Sequence, residues 1–186
     1  MIKKHAKDLI VILVIAIVLT VAFTCMDIKT PEQYYSTPLD KIENENEVVF
    51  FSIDCKTLRD RIDKNNDDDT SNDKFVEDNI EQFVSADGII LKKQAYNLRE
   101  GDTAFSILQR ITSYNKIPIG YKNNAYGVYV EGINHIFEKS CKGTSGWVYL
   151  VNGKMANVSC SSYKLKPGDY VEWRYTCEYG DLGGNK

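Results

Sequence analysis

Residues 9–26 contain no charged side chain and are dominated by Ile, Val and Leu. At ~1.5 Å of rise per residue, such a run is about long enough to cross the hydrocarbon core as a helix. Lys3, Lys4 and Lys7 precede it and Asp27 follows it, which places the N-terminus inside and the remainder outside. Residues 1–26 are therefore expected to form a membrane segment, as signal anchor or signal peptide. Residues 27–46 are polar, carry Pro31 and Pro38, and read as a stalk. Beyond the stalk the pattern changes to short apolar runs. Residues 48–53 predict a buried strand, residues 55–62 a helical turn or two, and residues 88–96 a further strand or pair of strands.

Residues 63–74 lack any apolar side chain and predict a loop. Asp102 is the expected N-cap of the clearest helix, with Phe105, Leu108 and Ile111 on one face and an end near Tyr114-Asn115. Pro118 stops further helix. Residues 126–130 and 146–151 predict strands, the second closed by Asn152-Gly153, a strong hairpin signal. A turn at Lys166-Pro167-Gly168-Asp169 leads to a strand over 170–176. There Val171, Trp173 and Tyr175 share one face and Glu172, Arg174 and Thr176 the other. One main helix among short strands predicts an α+β domain with a mixed sheet packed on that helix. The expected organisation is membrane segment 1–26, stalk 27–46, domain 47–180 and flexible tail 181–186.

Composition narrows the chemistry. The net charge of -3 gives no basic footprint, so nucleic acid is not an expected partner. Cys25 lies in or beside the membrane segment, as a poor match to a lipidation site. Cys55, Cys141, Cys160 and Cys177 remain in the exported part, and an even set outside the cytoplasm reads as two disulfides with three possible connectivities. Zinc does not fit, because no paired Cys-x-x-Cys spacing is present. The run from Asp63 to Asp69 imitates a calcium loop, but Asp68 stands where glycine is needed and Lys74 where glutamate is needed. It reads as a solvated acidic loop, and no metal is expected.

No catalytic motif emerges from the two histidines or the scattered carboxylates. A sortase-like cysteine transpeptidase would draw on Thr176-Cys177 and His135. No arginine follows Cys177 to steady an oxyanion, so no enzyme activity is expected. Aromatic side chains are dense in the last third, at Tyr126, Tyr129, Trp147, Tyr149, Tyr163, Trp173 and Tyr175. They suit either a sheet core or a ligand face. Trp173 and Tyr175 alternate with polar residues and read as core.

The stretch Ser145-Gly146-Trp147-Val148-Tyr149-Leu150-Val151-Asn152-Gly153 and the run from Cys160 through Tyr163-Lys164-Leu165-Lys166-Pro167-Gly168-Asp169 to Trp173-Arg174-Tyr175-Thr176-Cys177 carry a resemblance. They resemble a bacterial domain-of-unknown-function family of Gram-positive surface proteins, related to the C-terminal domain of transcobalamin and intrinsic factor. Upstream, Ser52-Ile53-Asp54-Cys55, Asp87-Gly88-Ile89-Ile90-Leu91 and Glu100-Gly101-Asp102-Thr103 fall in the family's order. The resemblance implies a β-grasp-like fold, and disulfides pairing Cys55 with Cys177 and Cys141 with Cys160. It also implies binding rather than catalysis. The vitamin-carrier relatives grip one face of a corrinoid with the help of a partner domain that this sequence does not offer. The expectation is a membrane-anchored extracellular binding module without a bound cofactor. It would present a corrinoid-like small ligand or a surface partner to Trp147, Tyr149, Asn152 and Tyr163. The rival expectation is a structural or adhesive interaction domain of the cell surface.

Overall fold

Alternating inward Val49, Phe51 and Ile53 form the first strand, β1 (Val48–Asp54), of a five-stranded sheet. The computed structural model describes residues 44–67, 79–141, 143–178 and 180–181, with Ile15 and Ile42. The membrane segment 1–26, nearly all of the stalk 27–46 and most of the tail 181–186 thus lie outside the described residues. No helix among the described residues is long and apolar enough to cross a membrane.

After β1 the chain forms α1 (Lys56–Asp67) and then, beyond a 3-10 turn at Ile80–Phe83, β2 (Ile89–Asn97). The helix α2 (Ala104–Tyr114) follows. Next come β3 (Ile119–Asn124), β4 (Gly127–Ile133) and β5 (Ile136–Phe137), and finally β6 (Gly146–Val151), β7 (Lys154–Met155) and β8 (Tyr170–Thr176). The larger sheet runs β2-β1-β8-β6-β7 and the smaller one β3-β4-β5. In the larger sheet β1 and β8 pair in parallel and the other neighbours antiparallel. The α+β expectation of a mixed sheet holds, with two additions: a second sheet and a second helix.

The core gathers the inward faces of β1, of β6 (Trp147, Tyr149, Val151) and of β8 (Val171, Trp173, Tyr175). Against them α2 sends Ala104, Phe105, Ile107, Leu108 and Ile111. Each fully buried Leu or Ile contributes roughly 1.5–3 kcal/mol. The helix starts one residue later than the sequence pattern implies. Thr103 is the N-cap, accepting from the Ser106 N–H while Ser106 Oγ accepts from the Thr103 N–H. The Asp102 carboxylate is engaged elsewhere. It takes both guanidinium nitrogens of Arg110, at 2.9 and 2.7 Å, together with the Arg99 N–H and the Ser106 hydroxyl. Arg110 also donates to the Asn97 carbonyl, so this buried pair fixes the β2–α2 connection.

The free N–H groups of Ala104 and Phe105 at the helix start donate to the Tyr163 and Cys160 carbonyls. The segment between β7 and β8 is thereby strapped across the start of α2. The Asn152-Gly153 hairpin appears as expected, both residues at positive φ (54° and 74°).

The pairing of cysteines differs from that implied by the family resemblance. Cys141 is bonded to Cys177, with Cα atoms 5.4 Å apart, whereas Cys55 and Cys160 are buried thiols. Sheet register explains the change. Because Gly146 pairs with Thr176, the chain entering β6 runs beside the chain leaving β8, and Cys141 meets Cys177 there. Cys55 instead sits at the β1–α1 junction, its N–H on the Gly88 carbonyl. Cys160 sits under the β3–β4 hairpin, its Sγ 3.5 Å from the Val128 carbonyl.

Candidate ligand-binding surface

Trp147, Tyr149, Asn152 and Tyr163 are the site residues expected from sequence. Trp147 points inward from β6, only 6% exposed, and its indole N–H donates to the Ile136 carbonyl at 2.7 Å. Its ring meets Tyr175 edge to face. Tyr149 lies on the same face of the strand, 9% exposed, and donates its hydroxyl to the Val158 carbonyl. It packs against Trp173 and, edge to face, against the half-buried Tyr163. Burial pushes the Tyr149 phenol up to about 12, with Cys160 and Tyr163 adding to the rise. Asn152 occupies the β6–β7 turn. Its amide donates to Asp169 and its side-chain oxygen accepts the Tyr170 N–H, each at 2.9 Å. Tyr149 and Tyr163 are brought together, while Asn152 is tied to the start of β8. The polar groups of Trp147, Tyr149 and Asn152 are committed to the fold.

The outward face of the five-stranded sheet offers little free aromatic surface either. Tyr170 bonds to Ser52 through its hydroxyl, and the Lys93 ammonium lies 3.7 Å from its ring centroid and 5.2 Å from that of Phe50.

Exposed aromatic side chains gather elsewhere. Among the described residues, Tyr114, Tyr121, Tyr126, Tyr129 and Phe137 are exposed, and all fall on the end of α2 or on the β3–β5 sheet. Gly120 pairs with Gly132, and Phe137 of β5 pairs with Gly132. The Phe137 ring lies on these two glycines: a Cβ on Gly132 would meet it at 2.6 Å and one on Gly120 at 3.1 Å. On β4, Tyr129 faces Lys122 of β3 and donates its hydroxyl to Glu138 at 2.5 Å. That bond, then burial, pushes the Tyr129 phenol up to about 12. Lys122 is salt-bridged to Glu131.

Tyr126 stands at the hairpin tip, 91% exposed, with its N–H on the Asn124 side chain. The tip is braced from below. Ser159 donates to the Val128 carbonyl, Ser161 accepts the Val128 N–H, and Gly127, at φ 118°, leaves no room for a Cβ against Ser159. Tyr126 and Tyr129 stand out in the sequence only as members of an aromatic-rich stretch. The glycine pair under Phe137 is the signal that marks the face, and it becomes legible only once β3 is known to be a strand.

The chemistry of the cysteines and His135 follows from placement. Cys177 is held in its disulfide. His135 is exposed on the β4–β5 turn and its ring stacks on Phe83, centroids 4.8 Å apart. Burial pushes the Cys55 thiol up to about 12, with Asp54 adding to the rise, and burial pushes Cys160 up to about 11. Both therefore stay protonated at neutral pH. No group of three or more His, Cys, Asp or Glu side chains able to hold a metal occurs among the described residues.

Comparison with known proteins agrees with the resemblance carried by the C-terminal motif. Residues 101–177 match the family described as Domain of unknown function (DUF4430). The match covers α2 through β8 and leaves β1, α1 and β2 outside it. No curated protein matches the chain. Among solved structures, haptocorrin in complex with Cbi superposes with a TM-score of 0.44 at 14% identity, over 69% of this chain and 24% of that one. This chain thus spans about a quarter of that protein. A protein from Ruminococcus gnavus, provisionally named metal binding, superposes with a TM-score of 0.39 at 9% identity, over 72% of this chain and 99% of that one.

Proposed function

We propose that this chain is a membrane-anchored module that holds a β-grasp-like binding domain outside the cytoplasm and presents it to a ligand or surface partner. The anchor is the uncharged run 9–26, oriented by the lysines before it. The β-grasp-like reading rests on the order β2-β1-β8-β6, with β1 and β8 parallel and α2 between the two strand pairs in sequence. The binding reading rests on one observation above others: Tyr129 and Phe137 are exposed on the outward face of the β3–β5 sheet, with Tyr126 at its hairpin tip, whereas Tyr121 packs on Phe105 of α2. Scattered exposed apolar groups are ordinary, but a cluster of them marks an interaction surface. A corrinoid-like small ligand is one candidate and a surface partner the other. The open sheet face favours the second, since a small molecule bound tightly is mostly enclosed.

Two measurements test this. Protease added to intact cells should remove the domain, and fractionation should find the chain in the membrane; a protected domain would refute the topology. Corrinoid titration, followed by the fluorescence of Trp147 and Trp173, tests the small-ligand branch. No change at high micromolar corrinoid would eliminate it and leave the surface-partner branch standing.

A further inference from the structure

We infer that the outward face of the β3–β5 sheet binds a neutral polysaccharide chain, with Phe137 and Tyr129 as stacking platforms. This rests on the reading of the chain as an exported binding module and names the class of ligand for it.

Three observations converge on that class. The first is shape. Gly120 and Gly132 carry no side chain, and the Phe137 ring rests against both through Cγ, Cδ1 and Cε1 while about half of the residue stays exposed. An aromatic ring with exposed surface suits the C–H face of a pyranose, which is apolar and nearly planar. An open sheet cannot enclose a compact ligand, but it can take successive units of a chain.

Rigidity is the second. Tyr129 is fixed through its hydroxyl to Glu138, and Phe137 is fixed by the glycine floor beneath it. Tyr126 projects from a hairpin tip braced by Ser159 and Ser161. Rings already held in place lose little freedom when a ligand arrives.

Charge is the third, and it selects neutral over anionic polymers. Lys122 is already paired with Glu131, and Glu138 is a further carboxylate on the same face. Carboxylates therefore outnumber the ammonium there. Phosphate-rich polymers and anionic lipid surfaces meet repulsion, whereas sugar hydroxyls find acceptors. Asn124, exposed on β3 beside the tip and in step with Lys122 on the outward face, adds an uncharged amide.

The test uses the full chain in detergent micelles. Co-sedimentation with cellulose, chitin and an insoluble β-1,3-glucan is measured beside dextran sulfate as the anionic comparator. Binding to at least one neutral polysaccharide, and none to dextran sulfate, is expected. Affinity for the matching soluble oligosaccharide should fall by ~10-fold or more in Tyr129→Ala, the loss of about 1.4 kcal/mol. Tyr129→Phe keeps the ring but loses the bond to Glu138 that holds it, so its affinity should fall between those of the parent and Tyr129→Ala. Tyr126→Ala, whose side chain is almost wholly in solvent, should weaken binding without altering the melting curve.

Failure to retain any neutral polysaccharide overturns the inference, as does unchanged affinity in both alanine variants. If the chain ignores glycans yet captures a corrinoid or a surface protein, the glycan assignment falls and the binding-module reading survives. If it binds none of the three, both fall.

Discussion

The two sheets of this domain use aromatic residues in opposite ways. In the five-stranded sheet, Trp147, Tyr149, Trp173 and Tyr175 point into the core, and the one tyrosine on the outer face, Tyr170, lies beneath Lys93. In the three-stranded sheet, Tyr129 and Phe137 remain exposed, one held by a carboxylate and the other by a glycine floor. The difference is one of cover, not composition. The large sheet shares its inner face with both helices and the small sheet, and on its outer face Tyr170 is engaged by Ser52 and Lys93. On the small sheet Val130, Ile133 and Ile136 are buried, while Tyr129 and Phe137 on the opposite face stay exposed. Aromatic density alone therefore does not locate a binding surface; what lies across from each ring does.

This contrast can be broken by substitution. Trp147→Ala should cost roughly 3–5 kcal/mol, as expected for removing a large buried ring. Its indole N–H bond to the Ile136 carbonyl is lost as well. Urea unfolding checks this, and a loss below ~1 kcal/mol, the scale of surface changes, would return Trp147 to the ligand face. Replacing both Cys141 and Cys177 by Ser should cost about 4 kcal/mol by loop closure, given the sequence separation of 36. A thiol count provides the complementary check. Unfolding without reductant should reveal two thiols hidden in the native domain, Cys55 and Cys160. Peptide mapping that joined Cys55 to Cys177 would refute the pairing.

Alkaline titration sharpens the contrast, because Tyr149 and Tyr129 share a raised pKa for different reasons. Burial leads for Tyr149 and the Glu138 bond for Tyr129. Since the folded value of about 12 lies above the ordinary 10.0, the stabilisation from Tyr129 is present below about pH 10 and is lost as pH rises through about 12. Glu138→Gln should bring Tyr129 back toward its ordinary range and leave Tyr149 untouched. Ultraviolet-monitored titration of the two single Tyr→Phe variants assigns the two phenols. The smallest effect belongs to Tyr126→Ala, within about 0.5 kcal/mol of the parent in stability, as befits a surface change without structural partners.

Legibility in the sequence follows the same divide. β6 and β8 lie at their expected boundaries, because alternation is clean and glycine turns bracket them. α2 ends at Tyr114, near its expected end, with Asn115 as C-cap and Lys116 at positive φ. β3 is absent from the sequence pattern because Tyr121, Lys122, Asn123 and Asn124 are exposed and show no alternation. α1 extends to Asp67, past the short helix expected; among its described side chains the buried apolar ones, Leu58 and Ile62, stand amid polar residues. Asp102 looks like a cap and is an ion-pair partner, a role set by Arg110 about two turns along the same face of α2. Disulfide connectivity depends on register between β6 and β8, which no local pattern encodes. For the site, Trp147 and Tyr149 share the inward face of β6. Whether that face meets solvent or a helix is decided by elements distant in sequence.

The parallel pairing of β1 with β8 has a mechanical consequence. Phe50 to Asp54 run alongside Tyr170 to Arg174 in the same direction. A tether pulling at the start of β1 and a load at the end of β8 draw these strands past each other. The backbone bonds between them are then strained together, not peeled one after another. Under the anchored topology proposed above, force arriving from the N-terminal side loads the β1–β8 pair in shear. Single-molecule pulling through Val48 and Thr176 should require higher force than pulling through Val48 and Asn97, antiparallel neighbours that unzip from one end.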